Sequence, residues 1–413
     1  MDRGIRLRGS EDMAGVRRHR PDYWLLILAT AMLSIGLVVI YAIGPALALE
    51  NNVGQNYFAN KQLLAIALSF IGFFVAANVP LATWRRLYKP LLIISALATA
   101  VALVMPVNVQ YPAHRWIRLG PLSFQTVDLL TFAVLLWIAV FLAKRVKLGE
   151  ITNSRATLIP LVGVLVLLGI VVVGIQSDLG STGVIVVMMA AMAYVAGMPF
   201  RRIMIIGAVI AFGLVIAIST SAYRRARFET FIHPDTNCTT TGYQVCQSLI
   251  SVGTGGLTGQ GLGSGAQAYG YVPEAANDSI FAIYAEKFGF IGTTALLALY
   301  LAFFARLKRV AERIPDTFLR LSVIGVLVWF SVQALINIGA MIGLLPLKGI
   351  TLPFISYGGT SVVFSMAAVG FVFQVSRYTL HQPADTTEGK GYEDRADGRR
   401  VRRAYNPAAS SRP

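Results

Sequence analysis

Long uninterrupted runs of apolar residues constrain this chain more than any other feature. A helix needs about 20 apolar residues to cross the hydrocarbon core of a bilayer. Only 14% of the 413 residues are charged, against about 25% in soluble domains. The sequence therefore predicts an all-α polytopic membrane protein with about ten transmembrane helices, at approximately 22–43, 62–79, 89–106, 124–143, 158–176, 181–198, 203–221, 278–305, 317–343 and 354–377.

The basic residues are distributed unevenly between the two faces that ten spans define. An even number of spans puts both termini on one side, and that side receives 28 of the 36 Lys and Arg residues. The positive-inside rule assigns the basic side to the cytoplasm. Because this topology accounts for the net charge of +16, the basic excess does not indicate nucleic-acid binding. We expect a multi-pass protein with both termini in the cytoplasm.

Three regions follow from this pattern. Residues 1–20 and 381–413 are polar and rich in Arg, so we expect two disordered, basic cytoplasmic tails. Residues 21–380 form the transmembrane domain. Within it, a large extracytoplasmic loop at 222–277 connects spans 7 and 8.

The long outer loop has several features of a site for an anionic ligand. It begins with an arginine cluster that includes Arg224 and Arg227, and the guanidinium group suits phosphate. Seven glycines within residues 253–265 allow backbone to approach a phosphate closely, and a flexible loop is the alternative. A disulfide between Cys238 and Cys246 is permitted outside the cytoplasm, with two free thiols as the alternative.

Three carboxylates, Asp128, Asp178 and Asp278, lie at the outer ends of predicted spans. A carboxylate at membrane depth is costly and usually faces a wet cavity or a cationic partner. Lys348 adds a cation within the stretch 344–361, where prolines and glycines interrupt the helix. Interrupted backbone is tolerated there only if it lines a cavity or packs against protein. We therefore expect a polar chamber that opens outward; ordinary interfacial pairing is the alternative.

These residues together resemble the SEDS family of peptidoglycan glycosyltransferases. The most specific parts are Arg115-Trp116-Ile117, Gln-x-Asp-Leu-Gly at 176–180, Gly-Tyr-Gln at 242–244, and Pro273-Glu274 with Asp278; Asn337 and the stretch 344–361 complete the pattern. The Leu-Pro-x-Lys-Gly form around Lys348 resembles the division member, FtsW, more than the elongation member, RodA.

The chain departs from the family pattern in two places. Span 4 usually begins with Gln-Pro-Ser-Glu followed three residues later by Lys, whereas residues 125–128 read Gln-Thr-Val-Asp and Thr131 replaces the lysine. We therefore expect no intrahelical ion pair between Asp128 and position 131. Near the start of span 8, Glu286-Lys287 replaces a pair of glutamates.

The resemblance implies an inverting enzyme of the bacterial plasma membrane that polymerises lipid II into β-1,4 glycan strands on the outer leaflet during cell division. It implies Asp278 as the catalytic carboxylate, a divalent cation (Mg or Mn), a class B penicillin-binding protein as the transpeptidase partner, and other divisome proteins. The alternatives are a transporter that flips lipid-linked precursors and a non-catalytic division scaffold. By the same resemblance, the residues expected to bind substrate are Arg115, Asp178, Arg224, Arg227, Gln244, Glu274, Lys348 and Ser356.

Overall fold

The computed structural model describes residues 20–105, 116–119, 122–176, 178–220, 222–233, 238–240 and 242–378. The predicted tail at 381–413 and, apart from Arg20, the one at 1–20 lie outside these residues. Arg115 also lies outside them.

The described part contains twelve α-helices and one β-hairpin, with short π-helical and 3-10 turns between or beside them. The helices are α1 (Tyr23–Glu50), α2 (Tyr57–Asn78), α3 (Leu81–Val104), α4 (Thr126–Lys147), α5 (Ile159–Leu168), α6 (Leu179–Val195), α7 (Phe200–Ser219), α8 (Ala222–Ile232), α9 (Tyr243–Thr254), α10 (Ile280–Glu312), α11 (Thr317–Met341) and α12 (Gly359–Val375). The strands are β1 (Trp116–Leu119) and β2 (Leu122–Gln125), and the short turns cover Ser154–Leu158, Gly169–Ile175, Gln267–Tyr271 and Ser376–Tyr378.

The helical prediction is confirmed, and each of the ten predicted ranges overlaps a helix; the fifth range covers α5 and the π-helical segment Gly169–Ile175. Among the described residues, eight helices are long and apolar enough to cross a membrane. The sixth and seventh predicted ranges correspond to α6, with 17 residues, and α7, with 20. Helices satisfy their own backbone groups, which hydrocarbon cannot do. The structure adds the hairpin, in which Trp116 pairs with Gln125, and the helices α8 and α9 within the predicted outer loop.

Acidic helix caps and basic partners hold one end of the bundle together. Asp22 accepts a hydrogen bond from the backbone N–H of Trp24 (3.0 Å) at the start of α1 and lies 3.8 Å from Arg306 of α10. Asp316 caps α11 by accepting from its backbone and forms an ion pair with Arg85 of α3. The starts of α1, α3 and α11 and the end of α10 therefore share one face.

At the opposite end of the bundle, helical backbone is interrupted in two places. Helix α10 breaks at Gly289, which has φ 63° and ψ −163°, so a short first segment at 280–288 precedes a long second one. Residues 280–287 are all buried. After α11 the chain is non-helical from 342 to 358 before α12 begins, which agrees with the interruption expected at 344–361.

Candidate functional site

The backbone of Asp278 lies where α10 and α11 meet the interrupted segment after α11. Asp278 immediately precedes Ser279, the N-cap of α10, and is 8% exposed. The side-chain Nδ2 of Asn337, near the end of α11, donates to the carbonyl oxygen of Asp278 and to that of Ile350, both at 2.7 Å. One buried amide therefore fixes the position of Asp278 relative to the interrupted segment.

The carboxylate of Asp278 also contacts α9. Gln244, in the first turn of α9, donates from Nε2 to Asp278 Oδ1 (3.3 Å) and to Ser279 Oγ (3.1 Å). The hydroxyl of Ser279 in turn donates to the carbonyl oxygen of Pro273 (2.9 Å). Gln244 was predicted as a site residue from the Gly-Tyr-Gln motif, and the structure brings it to Asp278.

Hydrogen bonds join the segment before α10 to the segment before α12. Ser356 Oγ donates to the carbonyl oxygen of Asn277 (2.6 Å) and accepts from the backbone N–H of Leu352 (2.7 Å). The backbone N–H of Tyr357 donates to the carbonyl oxygen of Ala276 (2.8 Å). The predicted site residue Ser356 thus holds the backbone that carries Asp278.

Both of these segments contain a residue with unusual backbone geometry. Glu274 has φ 53° and Phe354 has φ 65°, and Asn52 is the third non-glycine residue with positive φ among the described residues. Such conformations cost about 1–3 kcal/mol each and persist where the surroundings enforce them. Glu274 is held by Asn277, whose side-chain amide donates to its carboxylate and whose backbone N–H donates to its carbonyl oxygen.

Aromatic packing enforces the conformation of Phe354. Its ring lies 5.4 Å from that of Phe303 and 5.1 Å from that of Phe330, centroid to centroid. The buried hydroxyl of Tyr300 donates to the carbonyl oxygen of Pro353. The long segment of α10 and the middle of α11 therefore anchor the interrupted segment through buried aromatic side chains.

The turn containing Asp178 meets the interrupted segment from the other side. A Cβ added to Gly180 would lie 2.6 Å from the side chain of Ile350 and 3.4 Å from Cβ of Lys348, so a larger residue here would displace Ile350. Asp178 itself is 4% exposed. Its Oδ1 accepts from the backbone N–H of Ser181 (3.0 Å), and its Oδ2 accepts from the hydroxyl of Ser181 (2.8 Å). Asp178 therefore caps α6 at the edge of the site.

The glycine-rich loop packs against the broken part of α10. A Cβ on Gly289 would lie 2.3 Å from the backbone nitrogen of Gly259. Glycine at position 289 therefore allows the backbone of the glycine-rich loop to lie against the backbone of α10. The side chains of Glu286 and Lys287 are 2% and 1% exposed; the carboxylate of Glu286 accepts from the backbone N–H of Gln267 (3.1 Å). In this structure, the close approach that the glycines permit is to α10.

The remaining predicted residues belong to the predicted outer loop at 222–277, which precedes Asp278 in the sequence. Arg224 and Arg227 lie three residues apart in α8, where only their backbone is described. Cys238 and Cys246 form a disulfide that joins the turn before α9 to α9 itself. Asn337 was not among the predicted substrate-binding residues. It was nevertheless part of the sequence pattern that resembles the SEDS family, and it is a polar amide inside an otherwise apolar helix.

The side chains around Asp278 can be compared with the ligands that the predicted divalent cation requires. The described residues contain no group of three or more His, Cys, Asp or Glu side chains that could hold a metal ion. Magnesium, however, usually keeps several waters and binds through one or two carboxylates together with substrate phosphates. Asp278 offers one such carboxylate, so the residues fit a cation held jointly with a phosphorylated substrate.

Comparison with known proteins gives one consistent family. The family model for FtsW, RodA and SpoVE, described as cell cycle proteins, matches residues 23–381. The chain is 34% identical to stage V sporulation protein E of Bacillus subtilis over 88% of this chain and 99% of that protein. It is also 34% identical to a probable peptidoglycan glycosyltransferase FtsW of Saccharophagus degradans, over 90% of this chain and 95% of that protein.

Solved structures show the same relationship. A chain from a peptidoglycan synthase complex that coordinates polymerization and crosslinking superposes with a TM-score of 0.68, at 26% identity, over 86% of this chain and 98% of that chain. The rod shape determining protein RodA of Thermus thermophilus superposes with a TM-score of 0.61, at 25% identity, over 88% of this chain and 98% of RodA.

Proposed function

Because this chain belongs to the FtsW, RodA and SpoVE family of cell cycle proteins, we propose that it is a peptidoglycan glycosyltransferase that polymerises lipid II. The observation that carries the proposal is the placement of Asp278. It is a nearly buried carboxylate whose backbone is fixed by Asn337 and whose Oδ1 accepts from Gln244. Helix α9 reaches the side chain, and Asn337 of α11 fixes its backbone relative to the interrupted segment, as expected of a group that must be positioned for a reaction.

The reaction is a single displacement that inverts the donor sugar. Asp278 accepts the proton of the 4-hydroxyl group of the acceptor, and the oxygen attacks the anomeric carbon of the donor. The new β-1,4 bond forms as the bond to pyrophosphate breaks, and the lipid pyrophosphate leaves with the bonding electrons. A positioned general base contributes about 100-fold to 10,000-fold to such a step.

The departing pyrophosphate requires neutralisation of its charge. We assign this role to Arg115, Arg224, Arg227 and Lys348, since guanidinium and ammonium groups both bind phosphate oxygens. Asp278 would hold a divalent cation, Mg or Mn, and the cation would supply Lewis-acid stabilisation of the same charge. Lys348 lies beside Gly180, at the junction of α6 and the interrupted segment.

Three further residues hold the reacting carboxylate in place. Ser356 and Glu274 fix the segment before α10 through Asn277, and Gln244 reaches Asp278 from α9. Asp178 caps α6, which supports Lys348 through the contact at Gly180. These residues shape the substrate site without taking part in proton transfer.

The same relatives support a biological setting for this activity. We assign the division role because relatives at 30–34% identity are named FtsW and because the interrupted segment carries Lys348. The active site faces the extracytoplasmic side, where lipid II is polymerised. A class B penicillin-binding protein, acting within the divisome, crosslinks the strands; the related synthase complex couples polymerization to crosslinking.

The test is polymerisation of lipid II by purified protein, with and without the candidate transpeptidase and with Mg or Mn. We expect glycan strands from the wild type and none from Asp278→Ala, while both proteins have the same melting temperature. Asp316→Asn is the matched control, because it changes a helix-capping carboxylate at the opposite face and should remain active. If wild-type protein makes no product even with partner and cation, the assignment is wrong, and lipid II flipping in liposomes then tests the transporter alternative.

A further inference from the structure

Three arginines come together at the end of the bundle opposite the proposed catalytic site, where the start of α1 meets the ends of α10 and α12. Arg306 Nη1 of α10 lies 3.8 Å from Asp22 Oδ2. The backbone N–H of Asp22 donates to the hydroxyl of Ser376 (2.9 Å), and Arg377 is the next residue. Arg20 precedes Asp22 by two residues. We call these three arginines the basic cluster.

The basic cluster carries more positive charge than its carboxylate balances. Asp22 pairs with Arg306 alone, and the side chains of Arg20 and Arg377 form no ion pair within the part of the chain that the structure describes. The other described carboxylates at this end each have a basic partner of their own: Glu150 with Arg145, Glu312 with Lys308 and Asp316 with Arg85. Two of the three positive charges in the cluster are therefore not compensated by a described carboxylate.

The two terminal segments of the sequence add further positive charge to this end. Residues 1–19 contain five Arg against three Asp or Glu, and residues 379–413 contain seven Lys or Arg against five Asp or Glu. Neither segment carries a net negative charge that would balance the cluster. The charge balance therefore favours an anion that comes from outside the chain.

Exposed aromatic side chains place the basic cluster at the level of lipid headgroups. Tyr23 and Trp24 begin α1 and are 56% and 52% exposed, and such residues concentrate where apolar spans meet water. The guanidinium carbon of Arg306 lies 5.4 Å from the ring centroid of Trp24. That of Arg377 lies 5.5 Å from the ring centroid of Phe373, and this ring in turn contacts that of Tyr23. The guanidinium groups are therefore held beside aromatic rings at the boundary between the apolar spans and water.

We propose that the basic cluster binds the phosphate of an anionic phospholipid in the leaflet that this end of the bundle meets. Guanidinium groups bind phosphate oxygens through paired hydrogen bonds, and an anionic leaflet attracts basic residues at its surface. The exposed rings of Tyr23 and Trp24 offer apolar contact to the acyl chains of the same lipid. A dissolved phosphate would gain no such contact, so we assign the site to a lipid. This site is separate from the proposed pyrophosphate site, and its occupancy can be measured without substrate.

The experiment measures the melting temperature of the purified full chain in detergent with added phosphatidylglycerol or phosphatidylcholine of the same acyl chains, without lipid II. We expect phosphatidylglycerol to raise the melting temperature by about 2 °C or more relative to phosphatidylcholine, because a ligand that binds only the folded state stabilises it. The difference should shrink at high salt, which screens charges near the surface.

A double variant locates the site. Arg20→Gln with Arg377→Gln removes the two cations without a described carboxylate partner and leaves Arg306 paired, so it should melt like the wild type in phosphatidylcholine and lose most of the response to phosphatidylglycerol. The two changes to Lys instead keep the charges and should keep most of the response. The matched control is Arg86→Gln with Lys89→Gln, which removes two exposed cations of α3 outside the cluster and should respond like the wild type.

Three results would overturn the proposal. Equal melting temperatures of the wild type in the two lipids would mean that the cluster binds no anionic headgroup. Equal responses of the double variant and the control would mean that the lipid reads the total charge of this end and not the cluster. A response of full size to inorganic phosphate alone would mean that the ligand is a dissolved anion. None of these results depends on polymerisation of lipid II.

Discussion

Asp178 and Asp278 are both nearly buried carboxylates at the beginning of a helix, yet the structure holds them in different ways. Both carboxylate oxygens of Asp178 accept hydrogen bonds from Ser181, three residues later in the same helix. Asp278 is located by Gln244 and Asn337, which belong to two other helices. The described contacts of Asp178 stabilise the first turn of its own helix, whereas those of Asp278 fix it relative to two other helices.

The largest expected difference is in catalysis when each aspartate is changed to asparagine. Asp278→Asn removes the proton acceptor, so the rate of lipid II polymerisation should fall by about 100-fold to 10,000-fold. Asn caps a helix about as well as Asp, so Asp178→Asn should retain activity within about tenfold. The measurement is the initial rate per folded protein, with the melting temperature recorded for both variants. An equal loss of rate in Asp178→Asn with unchanged melting would show that the two carboxylates do not differ in role.

The next largest effect concerns the buried pair behind Asp278. The Nζ of Lys287 donates to the carbonyl oxygen of Ser264 and lies 4.0 Å from Glu286 Oε2. Lys287→Met leaves the buried carboxylate of Glu286 without this cation, which costs about 3–5 kcal/mol of stability. The double variant Glu286→Gln, Lys287→Met should recover most of that loss, because no uncompensated charge remains. Denaturant unfolding in detergent gives both values, and a double variant as unstable as the single one would contradict this account.

A smaller effect is expected for the amide that bridges Asp278 to the interrupted segment. Asn337→Leu leaves the carbonyl oxygens of Asp278 and Ile350 without their shared donor, which costs about 1–3 kcal/mol. Gln333→Leu is the matched control, since Gln333 lies one turn earlier in α11 and donates to Thr351 instead. At similar loss of stability, we expect a clearly larger fall in polymerisation rate for Asn337→Leu. Equal rates in the two variants would mean that the bridge contributes stability alone.

Much of the fold followed from hydropathy, because a membrane span is a long local signal. Hydropathy did not predict how deeply each helix is buried inside the protein. Helices α3 and α4 are both strongly apolar, yet 17% of the most apolar stretch of α3 is buried, against 78% of that of α4. In lipid, the outside of the protein is as apolar as its inside. Composition therefore cannot distinguish a central helix from a peripheral one.

The site was predictable where its residues are polar at membrane depth, as for Asp278 and the interrupted segment after α11. The break in α10 was not predicted, because Gly289 reads as an ordinary helical glycine until Gly259 is seen against it. The role of the glycine-rich loop could not be predicted for the same reason. Glycine permits another group to come close to the backbone, but only the fold shows that this group is the backbone of α10. The bridge made by Asn337 depends on contacts 13 and 59 residues away in sequence, which no local pattern encodes.

The smallest expected effect concerns Asp178 and its role as the cap of α6. Asp178→Ala removes the cap of α6 and should cost about 1 kcal/mol of stability, a change visible as a lower melting temperature. Ser181→Ala removes the hydroxyl donor to Asp178 Oδ2 but keeps the backbone N–H donor, so it should cost less. Because both changes disrupt the same cap, the double variant should be less destabilised than the sum of the single variants. Additive losses would mean that Asp178 owes its position to groups beyond its own helix, as Asp278 does.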